Sequence, residues 1–117
     1  MLGTTRAVAV WAFGEPVDMR RSFDGLASIV TERLGRDPLS GDMFVFVGKS
    51  RVRAKVLLWD GTGLCVFAKR LETGRFSAPW LAEGGSLRLS TSELALFLEG
   101  AVLVHKLPLS PEPWVKP

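Results

Sequence analysis

The sequence predicts an α+β fold, an antiparallel β-sheet meander with two helices packed against it. Three observations predict it. Two β-prone runs, residues 51–59 and 64–70, flank Asp60-Gly61-Thr62-Gly63, whose glycines supply the positive φ of a tight hairpin loop. Helical spacing of apolar residues precedes this hairpin, at Met19, Phe23, Leu26, Val30 and Leu34. A capping-box signature, Ser90 with Glu93, opens a second helix after it.

In chain order, residues 7–13 (AVAVWAF) are an apolar run ended by Gly14 and Pro16, and read as a buried strand of the same sheet. The first helix is expected over residues 18–34, with Asp18 as N-cap and Gly35 as stop. Within it Arg20 stands four residues from Asp24 and is expected to pair with it. Gly25, costly in mid-helix by roughly 1 kcal/mol, predicts a close approach of another backbone. Residues 36–42 (RDPLSGD) are a turn cluster, and Met43, Val45 and Val47 alternate with Phe44 and Phe46 in a strand. A two-residue loop at Lys49-Ser50 returns that strand as a second hairpin and places Phe44 and Phe46 on the face of Arg53 and Lys55. Aromatics interleaved with cations suit a nucleic-acid stacking platform; the favoured reading is a second core layer covered by the C-terminal part of the chain.

If Gly61 and Thr62 form the central loop, Trp59 faces Leu64, Leu57 faces Val66, Lys55 faces Ala68 and Arg53 faces Arg70. Alternation then gives a core face with Val52, Ala54, Val56, Leu58, Cys65 and Phe67. The opposite face carries Arg53, Lys55, Leu57, Trp59, Leu64, Val66 and Arg70. Arginines directly across a strand pair repel unless an anion or carboxylate sits between them. Residues 49–75 hold seven basic side chains against two acidic ones, although the whole chain is only +3. One reading is a phosphate-binding surface; the other is a solubilising strand face that blocks edge pairing.

Residues 71–79 form a turn-rich connector that leads to a short run at 86–89. Leu94, Phe97 and Leu98 give the second helix its apolar stripe, and Gly100 ends it. Residues 101–104 have strand character. Residues 1–106 read as one domain, and residues 107–117, with four of the seven prolines, as an extended tail.

Composition narrows the function classes. With 47% hydrophobic and 23% charged residues, the 117-residue chain can bury a core, and disorder is not expected. No apolar run is long enough to span a membrane and the N-terminus does not read as a signal peptide, so no membrane partner and a cytoplasmic location are expected. Cys65 has no second thiol for a disulfide, and the one histidine, His105, precedes the proline-rich tail. No nucleophile-and-base pair, metal set, P-loop or dinucleotide fingerprint is present, so the chain is expected to be non-catalytic and to need no cofactor.

One family joins these parts. The phrases Asp18-Met19-Arg20, Phe23-Asp24-Gly25-Leu26, Asp37-Pro38-Leu39-Ser40-Gly41, Phe44-Val45-Phe46, Trp59-Asp60-Gly61, Lys69-Arg70-Leu71-Glu72, Gly74-Arg75-Phe76 and Leu98-Glu99-Gly100 occur in this order over about residues 8–100. They resemble the TnpB-type accessory proteins, products of the second open reading frame, of the insertion-sequence-66 family of bacterial transposons. The segment 48–54 and the chain after Gly100 depart from the family wording. The resemblance implies an accessory role in transposition beside a separate large transposase that carries the catalytic carboxylates. Two partners follow from it: DNA at the transposon ends, or the transposase and other element-encoded proteins, with a homo-oligomer compatible with either. For DNA, Arg53, Lys55 and Arg70 are expected at the centre of the contact, with Lys69 and Arg75 at its margin. A docking module would instead show an exposed apolar patch that includes Trp80 or Trp114.

Overall fold

Asp60 closes the central hairpin as the sequence requires: its N–H donates to the Gly63 carbonyl at 3.1 Å, and its carboxylate accepts from the N–H groups of Thr62 and Gly63. The structure, a computed structural model, describes residues 7–82 and 86–100. Its elements are β1 Val10–Ala12, α1 Phe23–Glu32, β2 Met43–Val47, β3 Arg53–Trp59, β4 Leu64–Arg70, β5 Leu87–Leu89 and α2 Thr91–Leu98, with a 3-10 turn at Pro79–Leu81. The expected β3–β4 register holds at every pair, from Trp59 opposite Leu64 to Arg53 opposite Arg70.

The sheet is mixed and not purely antiparallel, in the order β4-β3-β2-β1-β5. The antiparallel meander is confined to β2, β3 and β4, while β1 runs parallel to β2, pairing Val10 with Met43 and Ala12 with Val45. Parallel neighbours need a crossover of a dozen or more residues, and the segment carrying α1 provides it. β5 then returns antiparallel to β1.

The β2–β3 loop also differs from the expectation. Gly48 N–H donates to the Arg53 carbonyl and Phe46 lies opposite Lys55, so the loop is residues 49–52, two residues longer than expected. Because the register moved by two, every side chain keeps its expected face. Arg51 sits in this loop at φ 67, and its Nε donates to the Phe76 carbonyl at 2.8 Å. Phe76 N–H donates back to the Arg51 carbonyl at 2.7 Å, which pins the 71–78 connector to the loop.

Both faces of the sheet are core. Phe44, Phe46 and Leu57 pack with Phe13, Val17 and with Leu26 and Val30 of α1. Among the described residues, therefore, α1 covers those rings, and α2 packs on the other face. On the opposite face Val45, Val47, Ala54 and Val56 pack with Phe76, stacked on Phe97, and with Leu94 of α2. Of the expected core face, Val56 is 3% exposed, but Phe67 is 50% exposed because β4 is an edge strand that neither helix fully covers.

Residues 18–21 form a turn, so α1 begins at Phe23 and not at Asp18. The Asp18 carboxylate takes the Arg20 N–H, at 2.9 Å, and the Arg20 guanidinium, at 2.7 Å, which closes the chain too tightly for a helical first turn. Arg20 therefore pairs with Asp18 and not with Asp24. Met19 leaves the expected helical stripe and lies against Gly48, where a Cβ would stand 2.8 Å from the methionine Cγ. At Gly25 a Cβ would meet the Arg21 side chain at 3.1 Å, not another backbone as expected. Gly35 and Gly100, at φ 64 and 80, end the helices as read from the sequence, and the Ser90–Glu93 capping box is present. The expected strand at 101–104, His105, the tail and Trp114 lie outside the described residues.

Candidate nucleic-acid interface

The central hairpin brings its cations to one end of the α1 face. Arg53 and Arg70 are Cα partners across β3 and β4, at the end farthest from the Asp60 turn. They line an open cleft of about 430 Å³ together with Met19, Lys55, Lys69 and Glu72. A second hollow, of about 460 Å³, is lined by Asp18, Arg20, Lys49 and Ser50 and shares Met19 and Arg53 with the first. The two are parts of one groove that runs over Met19 from the β2–β3 loop to the hairpin edge. Six basic side chains line it against two acidic ones, Asp18 and Glu72.

The partners of these cations differ. Arg70 Nε lies 3.0 Å from a Glu72 carboxylate oxygen, an exposed pair worth little in water. Lys55 Nζ donates to the Arg21 carbonyl at 2.8 Å, so its ammonium holds the 18–22 turn onto the sheet. Arg20 is neutralised by Asp18, whose carboxyl those hydrogen bonds hold down to about 2. Among the described residues, Arg53, Lys49, Lys69 and Arg75 make no ion pair. Arg53 thus faces another guanidinium with no carboxylate of its own among the described residues.

Of the five residues singled out in the sequence, Arg53, Lys55 and Arg70 converge on the α1 face. Lys69 borders the cleft, but its cross-strand partner is Ala54 on the α2 face. Arg75 is exposed in the connector and lines neither hollow. Sequence reasoning passed over Arg20 and Lys49 as groove residues. Lys49 carried a signal in its position beside the turn, whereas Arg20 reaches the groove only because residues 18–21 are not helical.

A separate cation group lies at the opposite edge of the same face. The Arg36 guanidinium carbon sits 3.6 Å from the centroid of the Trp11 ring, and that of Arg88, the cross-strand partner of Trp11, at 5.1 Å. Arg33 stacks on Phe13 and pairs with Glu15. These guanidiniums cover the half-buried Trp11 and the buried Phe13, which gives them a packing role.

Other chemistry is sparse. Burial and the Asp60 carboxylate push the Cys65 thiol above its ordinary pKa, which keeps it protonated near neutrality. Among the described residues no three of His, Cys, Asp and Glu converge to hold a metal ion, and no helix is long and apolar enough to cross a membrane. Trp80 is half-buried against the α2-side core, and its neighbour Leu81 in the same turn is 67% exposed.

No solved structure matches the chain. Two proteins of Sinorhizobium fredii resemble it, both named only as uncharacterized: y4hO, 44% identical over 100 residues, or 86% of each chain, and y4jC, 37% identical over 100 residues, or 86% of this chain and 85% of the relative. The family model for IS66 Orf2 like protein matches residues 8–106, which include every element of the sheet, both helices and the whole basic groove. The chain belongs to the IS66 Orf2-like family.

Proposed function

We propose that the protein is a non-catalytic accessory factor of transposition that grips the phosphate backbone of DNA in the groove between the central hairpin and the 18–22 turn. The observation that carries this reading is Arg53, set directly opposite Arg70 with no carboxylate within ion-pair distance among the described residues. A like-charge pair at this position costs stability that a bound phosphate would recover. Lys49 and Arg70 extend the contact. Lys55 is a positioning residue, because its ammonium is already engaged by the Arg21 carbonyl.

Backbone contacts of this kind are read out by salt. In fluorescence-anisotropy titrations against transposon-end and random duplexes, the triple substitution K49A/R53A/R70A is expected to lower the magnitude of the slope of log K against log salt by about 2 to 3. Preference between the two duplexes should stay the same. An unchanged slope would move the contact to another surface, with Arg36 and Arg88 next to be replaced. No binding by the unmutated protein at low salt would sink direct DNA contact and leave docking onto the transposase as the function.

A further inference from the structure

β4 is the outermost strand, and among the described residues no strand lies beyond it. The hydrogen-bond phase of the hairpin decides which of its backbone groups face outward. Leu71 N–H donates to the Val52 carbonyl at 2.7 Å and Asp60 N–H to the Gly63 carbonyl at 3.1 Å. The pairs in step with these two, Val56 with Phe67 and Ala54 with Lys69 among them, are therefore the ones that exchange hydrogen bonds with β3. The N–H and C=O groups of Leu64, Val66, Ala68 and Arg70 point away from β3. β4 has no proline, and its only charges are the last two residues, so most of its length lacks the usual protection of an edge.

We infer that this edge pairs with β4 of a second copy of the chain, antiparallel about Phe67, so that two five-stranded sheets become one. Three features of β4 fit a copy of itself. First, a two-fold axis at Phe67 sets Val66 opposite Ala68 of the other copy and Leu64 opposite Arg70, and all four carry outward-facing backbone groups. Donors and acceptors therefore meet in phase along the whole strand. Second, this arrangement sets Lys69 against Cys65 and Arg70 against Leu64, whereas parallel pairing would line up like charges side by side. Third, Phe67 is 50% exposed and meets its own counterpart at a non-hydrogen-bonded position, where side chains approach most closely. Each ring covers the other.

The axis is perpendicular to the sheet, so both α1 faces lie on the same side. Arg70 of one copy and Arg70 of the other stand six residues apart along the joined edge, about 20 Å. A duplex lying on that side would meet two basic grooves related by symmetry. This consequence rests on the DNA reading, but the pairing does not.

The test is light scattering after size exclusion of the full chain, with two variants. The expected mass is twice 12.8 kDa. Ala68→Pro removes an N–H that only the second copy would use, and is expected to give a folded monomer. Lys69→Cys places a thiol opposite Cys65 of the other copy with Cα atoms about 4.5 Å apart, within disulfide range, while the two positions within one strand are about 13 Å apart. Mild oxidation should then give a covalent dimer on a non-reducing gel, and the unmutated chain should give none. A monomer at about 100 µM overturns the proposal, as does a dimer that Lys69→Cys fails to cross-link. Should Ala68→Pro not fold, the cross-link decides alone. DNA binding is measured separately, so a monomer that binds DNA would refute the pairing and leave the proposed function standing.

Discussion

Asp60 and Arg51 each fix a loop, by different physics. The Asp60 Oδ1 accepts from two backbone N–H groups and the Thr62 hydroxyl, which together hold its carboxyl at about 2, below the 3.8 of an unperturbed aspartate. The folded value lies below the unfolded one, so the charged turn contributes fully above about pH 4 and its contribution fades as pH falls toward 2. Asp60→Asn keeps an acceptor but has no charge to lose. The fall of its thermal midpoint between pH 4 and 2 is expected to be shallower than that of the unmutated chain, and equal falls would refute this. Arg51 combines a left-handed backbone with a guanidinium bond to the Phe76 carbonyl. Arg51→Gly and Arg51→Ala both lose the bond, but only alanine retains the penalty of positive φ. In urea denaturation the alanine variant is expected to be the less stable of the two by about 1 kcal/mol. The reverse order would mean that the loop does not keep its positive φ.

Among the elements, the two helices show what local sequence can and cannot specify. Helix α2 is short and marginal without caps, and its reciprocal Ser90 and Glu93 bonds, at 3.0 and 2.8 Å, satisfy both partners of the box. Those two residues were legible because the whole motif lies within four positions. The spacing predicts a start at Asp18, ahead of the actual start of α1 at Phe23, because Met19 keeps the helical period. What overrides the spacing is Arg20, which draws the Asp18 carboxylate into a turn, and Gly48, which leaves room for Met19 on the sheet. The residue that does precede the helix, Ser22, makes no side-chain capping bond. Ser90→Ala is accordingly expected to cost about 1 kcal/mol and Ser22→Ala close to nothing, measured as paired denaturation curves. Comparable losses would mean that Ser22 caps α1 in solution.

Across the whole molecule, legibility follows sequence separation. The β3–β4 register could be read from a four-residue turn, and the Arg53–Arg70 opposition at the heart of the candidate site came with it. The parallel pairing of Val10 with Met43 could not, because no local signal reports a partner 33 residues away, and the role of Lys55 depends on the Arg21 carbonyl at a similar distance. The same division is expected in the folding kinetics. Contacts within the β2–β3–β4 meander close short loops, whereas β1 and β5 join only after long ones, at a higher entropic cost before any contact is gained. A transition state built on the meander makes Val56→Ala, in the buried centre of β3, chiefly a folding-rate defect. Leu89→Ala removes an equally buried side chain from β5, at about 2 to 5 kcal/mol, and should appear almost entirely as faster unfolding. Stopped-flow chevrons of the two variants decide between this order and its inverse. Slower folding in Leu89→Ala with an unchanged unfolding limb would show that the long-range β1–β5 pair nucleates the sheet, and that the meander condenses onto it.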